Sequence, residues 1–352
     1  MNFTARNTNL LAPAVYQYLR SEGQPAESRN GPVLVAPEPV TICIERPEER
    51  VNLCPVRDAN PFFHLMEAMA MLAGMNNAPF LAHFARRMMQ YSDDGLNFSA
   101  FYGERLRRRW GDQLAACIEI LHKSPHSRQA VAGLWDPGLD LMRREHTVDR
   151  ACNLSLVFAV DRDGSLTMTS FNRSNDAIWG GVTGANIVHL SFFQEYVACA
   201  LGRPIGKWWH VSANLHVYTD NPQWERLCQF YLEAPASPPI ADVYPCVQIS
   251  LFTEPAERRD FDHALSQLMG WCAAIFTQPP QDPPEALKEA IKPHEFLWTV
   301  VYPMFLTWQI HKQYKGREEW AARTALTIQA DDWREAATNW LRRRKEALAD
   351  PS

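Results

Sequence analysis

The strongest pattern along the chain is an alternation of apolar and polar positions from Asn153 onward. Leu154, Leu156, Phe158 and Val160 take every second position, which predicts a half-buried strand. Asp161–Gly164 has turn chemistry, and the alternation resumes at Leu166 and Met168 and runs to Phe171 and Arg173, so the two runs are expected to fold back as a hairpin. A turn near Asp163 and Gly164 brings Cys152 and Arg173 together at the open end. A guanidinium there favours the thiolate, the reactive form of cysteine.

Most other spacings are helical. Residues up to about Gln24 read as a helix through Leu10, Leu11, Val15, Tyr18 and Leu19. Ser28–Gly31 is a polar turn containing Arg29, and the β-rich stretch from Val33 to Ile44 is punctuated by Pro37 and Pro39. Asn60 can cap and Pro61 open a helix reaching Ala73, with Phe63, Met66, Ala70 and Met71 on one apolar side. Glu67 stands in the middle of that side. Burying such a carboxylate unpaired costs several kcal/mol, so it is either ion-paired with an arginine or held as a general acid or base with a raised pKa.

Phe80–Tyr91 is predicted helical and is broken by Ser92–Gly95; Tyr102 and Gly103 follow in a polar setting, and Gln113–His122 is an amphipathic helix. Ser124–Arg128 is a turn before a short strand, Ala130–Trp135. Ile187, Leu190, Phe193 and Val197 line a helix running to Ala200 and closed by Gly202. His210–Tyr218 alternates as one strand with His216 and Tyr218 on the same face, either a structural pair or one suited to a hydroxyl-bearing ligand. Prolines at 235–239 and 278–284 mark connectors. The second separates a main domain, 1–277, from a helical C-terminal extension, 278–352, carrying Trp298, Trp308, Trp320, Trp333 and Trp340.

Composition narrows the function classes. At 352 residues and 46% hydrophobic content the chain can bury a large core, and a net charge of -5 with pI near 6.1 gives no general attraction to nucleic acid. The run Arg105, Arg107, Arg108, Arg109 reads as a solvated face or a loop anchor. Eight cysteines without CxxC or metal-ligand spacing, and a start lacking the apolar core of a secretory signal, point to a reducing, cytosolic setting and no metal. Phe296–Ile310, interrupted by Pro303, is too short to cross a bilayer and reads as a core helix.

Several separated pieces match one family. Cys152 at a strand start, the run Arg173-Ser174-Asn175-Asp176, Asn186 opening a helix, and His216-Val217-Tyr218 resemble thymidylate synthases and their nucleotide-hydroxymethylating relatives, particularly the divergent kind found in bacteriophages. The similarity runs from about Ser28 to about Asn221. It implies an α+β fold with a mixed sheet flanked by helices, and a homodimer whose sheets pack face to face.

Carried over residue by residue, the resemblance makes Cys152 the nucleophile, Glu67 the holder of a catalytic water and Tyr102 an aid to proton removal. Arg29, Arg173, Ser174 and Asn175 fall at the nucleotide, Arg128 reaches its phosphate from the partner subunit, and His216 and Tyr218 hold the sugar 3′-hydroxyl. Asp176 lies between the base and the folate. Asn186 would read uracil N3–H and O4, pointing to dUMP over dCMP; the alternative is that it only caps the following helix.

The implied chemistry begins with addition of the thiolate at uracil C6, which lets C5 attack the one-carbon unit of 5,10-methylenetetrahydrofolate. Loss of the C5 proton and the folate leaves an exocyclic methylene. Hydride transfer to it gives a methylated base, and water gives a hydroxymethylated one. Asn153 stands where the methylating enzymes have a histidine, Ala151 replaces a proline, Gln129 replaces the second phosphate arginine, and the Gly180–Asn186 segment is about two residues longer than usual. Instead of a short apolar tail that closes over the folate, the chain runs into a basic helix ending Ala349, Asp350, Pro351, Ser352, which favours water capture. The rivals are dTMP formation, a cysteine hydrolase using His146 or His216, and a nucleotide binder without turnover.

Overall fold

The computed structural model describes residues 1–143, 147–233, 244, 248–313, 316 and 318–349, the last three without their side chains. The proline connector expected at 235–239, His146 and the last three residues lie outside the described residues. The chain runs β1 (Asn2–Ala5), α1 (Thr8–Glu22), β2 (Gln24–Ser28), β3 (Gly31–Val35), β4 (Val40–Ile44), α2 (Pro61–Leu72), α3 (Ala78–Phe84), α4 (Tyr102–Arg107), α5 (Gln113–Lys123) and β5 (Val131–Gly133). After a single π turn follow β6 (Asn153–Val160), β7 (Leu166–Asn172), β8 (Asn175–Asp176), α6 (Ala185–Ala200), β9 (Ile205–Ser212), β10 (Leu215–Tyr218) and α7 (Pro222–Cys228). The C-terminal part is helical: α8 (Arg258–Ile275), α9 (Glu285–Ile291), α10 (Tyr302–Gln313), α11 (Glu318–Ala325) and α12 (Asp331–Ala349).

The strands form a six-stranded sheet in the order β1-β4-β9-β7-β6-β5 and a four-stranded sheet in the order β2-β3-β10-β8. Both are mixed: β1 runs parallel to β4 and β7 to β9, and β8 runs parallel to β10. The predicted β6–β7 hairpin is present, with Leu156, Phe158, Leu166 and Met168 buried.

Three expectations need correction. The first residues form β1, because Asn2–Ala5 pair along β4, a contact that local spacing does not reveal. The segment Phe80–Tyr91 is interrupted at Ala85, whose extended backbone ends α3 before a solvent-exposed 3-10 turn, Arg86–Tyr91. His210–Tyr218 is two strands rather than one. The chain leaves the large sheet after Ser212 and enters the small one at Leu215.

On the large sheet one face is closed. Ala132, Leu156, Ser170, His210 and Ile42 line up across adjacent strands and are all buried. Helix α6 packs on this face, α2 packs on α6, and α10 and α12 back α2. Tryptophans fill the outer layer: Phe62 of α2, Trp308 and Trp340 form a triangle with ring centres 5.5, 5.6 and 5.7 Å apart. Phe192 of α6 meets Phe296 and Trp333 at 5.6 and 6.4 Å. One apolar cluster thus extends from Leu11 to Leu341. No helix among the described residues is long and apolar enough to cross a membrane.

Because Trp308 is 2% exposed and bridges α2 to α12, Trp308→Ala is expected to lower the unfolding free energy by about 3–5 kcal/mol. Urea denaturation followed by tryptophan fluorescence measures it.

Candidate active site

Cys152 sits immediately before β6, at a register irregularity in the β6–β7 ladder between Asn153 and Ser155. A bulge leaves backbone groups unpaired and re-aims a side chain. Here Tyr102 takes up the free donors: its Oη accepts the N–H groups of Cys152 and Asn153, both at 3.2 Å. Tyr102 reaches this place because Gly103 lets α4 lie directly on α2; a Cβ on Gly103 would fall 2.2 Å from the Met71 carbonyl oxygen. Burial raises the Tyr102 pKa, so the phenol stays protonated at neutral pH.

The strand start is fixed from below by a buried ion pair. Arg105 is fully buried and donates to both oxygens of Asp140 and to the carbonyls of Leu134 and Ser99. Asp140 in turn accepts the N–H of Ala151 at 3.1 Å. Within the basic run, Arg105 is therefore an anchor. Arg107 is likewise held, by Asp112, Asp262 and Tyr196, so the solvated-face alternative fails for both.

Arg173 lies at the open end of the hairpin, as its spacing predicted. It donates from Nε to the Ala151 carbonyl at 2.8 Å, and its Nη2 is 3.9 Å from Cys152 Sγ. The expected favouring of the thiolate is only part of the balance. Burial pushes the Cys152 pKa up, Arg173 and Arg29 pull it down, Asp149 and Asp140 push it up again, and the net direction is upward.

The groups assigned to sugar and phosphate gather beside this thiol. Arg29 and Asn30 form the β2–β3 turn, and Asn30 Nδ2 is 3.4 Å from Tyr218 Oη. The His216 ring meets Tyr218 edge-on at 5.4 Å, with Nδ1 2.8 Å from Asn214 Oδ1. Asp176 is in register with His216 and accepts the N–H groups of Ile178 and Trp179 at 2.7 and 3.1 Å; burial nevertheless raises its pKa. Ser174 bridges β7 to β8 and is half-buried. Asn175 is committed to the fold, donating to Ser212 Oγ at 2.9 Å and accepting the Gly181 N–H at 2.7 Å. Arg128 stands apart, exposed in the loop before the edge strand β5, without a hydrogen bond or ion pair among the described residues.

Glu67 is 5% exposed on α2, and its partner is not the arginine considered as an alternative. His189 Nδ1 of α6 lies 3.5 Å from Glu67 Oε2. Asn186 is the second residue of α6 and half-buried; Gly184 holds the N-cap position, so Asn186 is not the helix cap. Three residues here were not singled out by the sequence: Asp140, Asp149 and His189. The signal for His189 was its place three residues after Asn186, on the same face of a helix.

The thymidylate synthase family model matches residues 21–237. The chain is 36% identical to a deoxyuridylate hydroxymethyltransferase of Pseudomonas phage M6, over 97% of this chain and 94% of that one. The chain belongs to the thymidylate synthase family. A second deoxyuridylate hydroxymethyltransferase, from Bacillus phage SP01, is 38% identical over 52% of this chain and 50% of its own length. A putative thymidylate synthase of Methanosarcina barkeri is 33% identical over 40% of this chain and 63% of its own. Family membership agrees with the two mixed sheets flanked by helices.

The electrostatics give a direct test. Asp149 is pushed up to about 6, chiefly by burial, although it accepts the Ala100 N–H. Its folded pKa lies above the unfolded value, so its stability contribution is complete below about pH 4 and is lost as pH rises through about 6. Asp149→Asn is expected to flatten that decline in urea-midpoint measurements and to shift Cys152 alkylation by iodoacetamide to lower pH. Arg173→Ala should shift alkylation to higher pH, read by peptide mapping across pH.

Proposed function

We propose that the protein transfers a one-carbon unit to C5 of dUMP and releases 5-hydroxymethyl-dUMP. Cys152, with Arg173 3.9 Å from its sulfur and Tyr102 holding its backbone, carries this reading. Near full-length likeness to a deoxyuridylate hydroxymethyltransferase supports the choice of substrate and product.

In this mechanism Arg29, Arg173 and Ser174 bind the nucleotide phosphate, and His216 with Tyr218 holds the sugar. Asn186 reads N3–H and O4 of uracil. Its half-buried amide at the start of α6 has no cap role, and an amide, which both donates and accepts, matches uracil better than the cytosine amino edge. Cys152 Sγ adds to C6, and negative charge builds on O4, where Asn186 and a water held by Glu67 stabilise it. 5,10-Methylenetetrahydrofolate supplies the one-carbon unit as co-substrate. The residues beside Asp176 suit an anionic folate: the Arg57 and Arg87 guanidiniums lie 4.3 and 3.9 Å from the Trp179 ring centre, and Arg87 is exposed. Tyr102 assists removal of the C5 proton, after which water adds to the exocyclic methylene. A reducing cytoplasm is the setting of this reading, one in which Cys152 and the other free cysteines stay reduced.

The proposal includes a homodimer joined through the outer face of the large sheet. Val131, Phe171 and Trp209 are 49, 37 and 39% exposed on that face, among half-buried Val157, Thr169 and Val211. An apolar sheet face of this kind marks an interaction surface. Arg128, at the adjacent sheet edge, would enter the partner's phosphate site. The segment 278–352 serves as a buttress for α2 and α6, the two helices that carry Glu67 and Asn186.

Purified protein incubated with dUMP and 5,10-methylenetetrahydrofolate should yield a product heavier than dUMP by one CH2O in mass spectrometry. Growth of dihydrofolate absorbance with a dTMP product would instead establish hydride transfer. Cys152→Ala should abolish turnover while dUMP binding by calorimetry persists; undiminished turnover would refute the mechanism. Arg128→Ala and Cys152→Ala proteins, each inactive alone, should regain about a quarter of wild-type activity after equal mixing and subunit exchange, since half the dimers then hold one complete site. No recovery despite exchange would exclude a shared Arg128.

A further inference from the structure

His189 has no role in the reading above, yet its setting is that of a reacting group. It is 3% exposed, and neither ring nitrogen has a hydrogen-bond partner. Glu67 Oε2, 3.5 Å from His189 Nδ1, is also buried without a hydrogen bond. Orphaned polar atoms are uncommon in protein interiors, and two facing each other in one site call for a ligand or water between the elements that carry them. The His189 ring also lies edge-on to Tyr102, with ring centres 5.6 Å apart, and Tyr102 holds the backbone of Cys152. Asn186, three residues earlier on α6, shares its face. His189 is therefore one helical turn deeper than the amide assigned to O4.

We propose that His189 is the general base for the water that captures the exocyclic methylene, with Glu67 orienting its ring. The inference rests on the hydroxymethylating function proposed above. A closure of about half an ångström would bring Nδ1–H into hydrogen-bond reach of Glu67 Oε2, and such tightening accompanies substrate binding in many active sites. That contact selects the tautomer with Nε2 unprotonated and places a counter-ion beside the imidazolium that forms. The water oxygen bonds to the methylene carbon, one water proton passes to Nε2, and the electron pair of the methylene double bond moves through C5 and C4 to O4 as an enolate. Collapse of the enolate restores the C5–C6 double bond and expels Cys152 Sγ as thiolate. The imidazolium proton then returns through solvent to the thiolate. Glu67 alone can hold a water; His189 supplies the acceptor for its proton.

The test compares wild type, His189→Gln and His189→Asn, using dUMP tritiated at C5, 5,10-methylenetetrahydrofolate and 2-mercaptoethanol throughout. Tritium release reports formation of the methylene, and the thiol traps methylene that water fails to capture. Both variants should bind dUMP and release tritium near the wild-type rate, while 5-hydroxymethyl-dUMP per tritium released falls about 100-fold and the thioether takes its place. An unchanged product ratio in both variants overturns the proposal. Loss of dUMP binding in both would make the imidazole part of the fold and also overturn it. Wild-type protein that releases tritium but forms dTMP refutes the hydroxymethylating reading itself, whereas wild-type hydroxymethyl product with unaffected variants refutes only the role of His189.

Discussion

The burial of Glu67 constrains much of the molecule around it. Helix α2 is apolar almost throughout, and a carboxylate held within it is tolerable only if the surrounding elements leave it a polar neighbour. That neighbour is His189 of α6, whose ring in turn meets Tyr102 of α4 edge-on. Their approach demands a rigid α2. Asn60 accepts the Phe63 N–H at its start, Gly103 removes the side chain that would hold α4 away, and Trp308 and Trp340 press on Phe62 from behind. The tryptophan-rich C-terminal helices thus form an outer wall behind the helices that carry Glu67 and His189.

The Cys152 thiol is governed by a contest between desolvation and charge. Arg173 is close enough to stabilise a thiolate, but enclosure of the sulfur outweighs it, and Asp149 adds to the cost of ionisation. A raised thiol pKa slows adventitious oxidation and alkylation, which require the thiolate. The Arg105–Asp140 pair sets the position at which this contest takes place, since it holds the backbone of Ala151 directly before Cys152.

Division of the strands between two sheets brings together the residues proposed for the nucleotide. Had His210–Tyr218 continued as one strand, His216 would have remained in the large sheet. The break after Ser212 carries β10 between β3 and β8, so that Tyr218 meets the Arg29–Asn30 turn and His216 meets Asp176. The outer face of the large sheet stays open, with Val131, Phe171 and Trp209 exposed.

By itself the sequence determined the features whose causes are local. The β6–β7 hairpin follows from alternation and a turn, so Cys152 and Arg173 were legible as neighbours. The cap at Asn60 and the apolar stripe of α2 made Glu67 conspicuous for the same reason. Tertiary structure decided everything that depends on partners far apart in the chain. His189 faces Glu67, Arg105 binds Asp140, and β1 lies along β4, each across a separation that no periodicity encodes. The direction of the Cys152 pKa belongs to this second group. Proximity to Arg173 can be read from a hairpin, but desolvation is set by all the elements that close around the sulfur, and here it prevails.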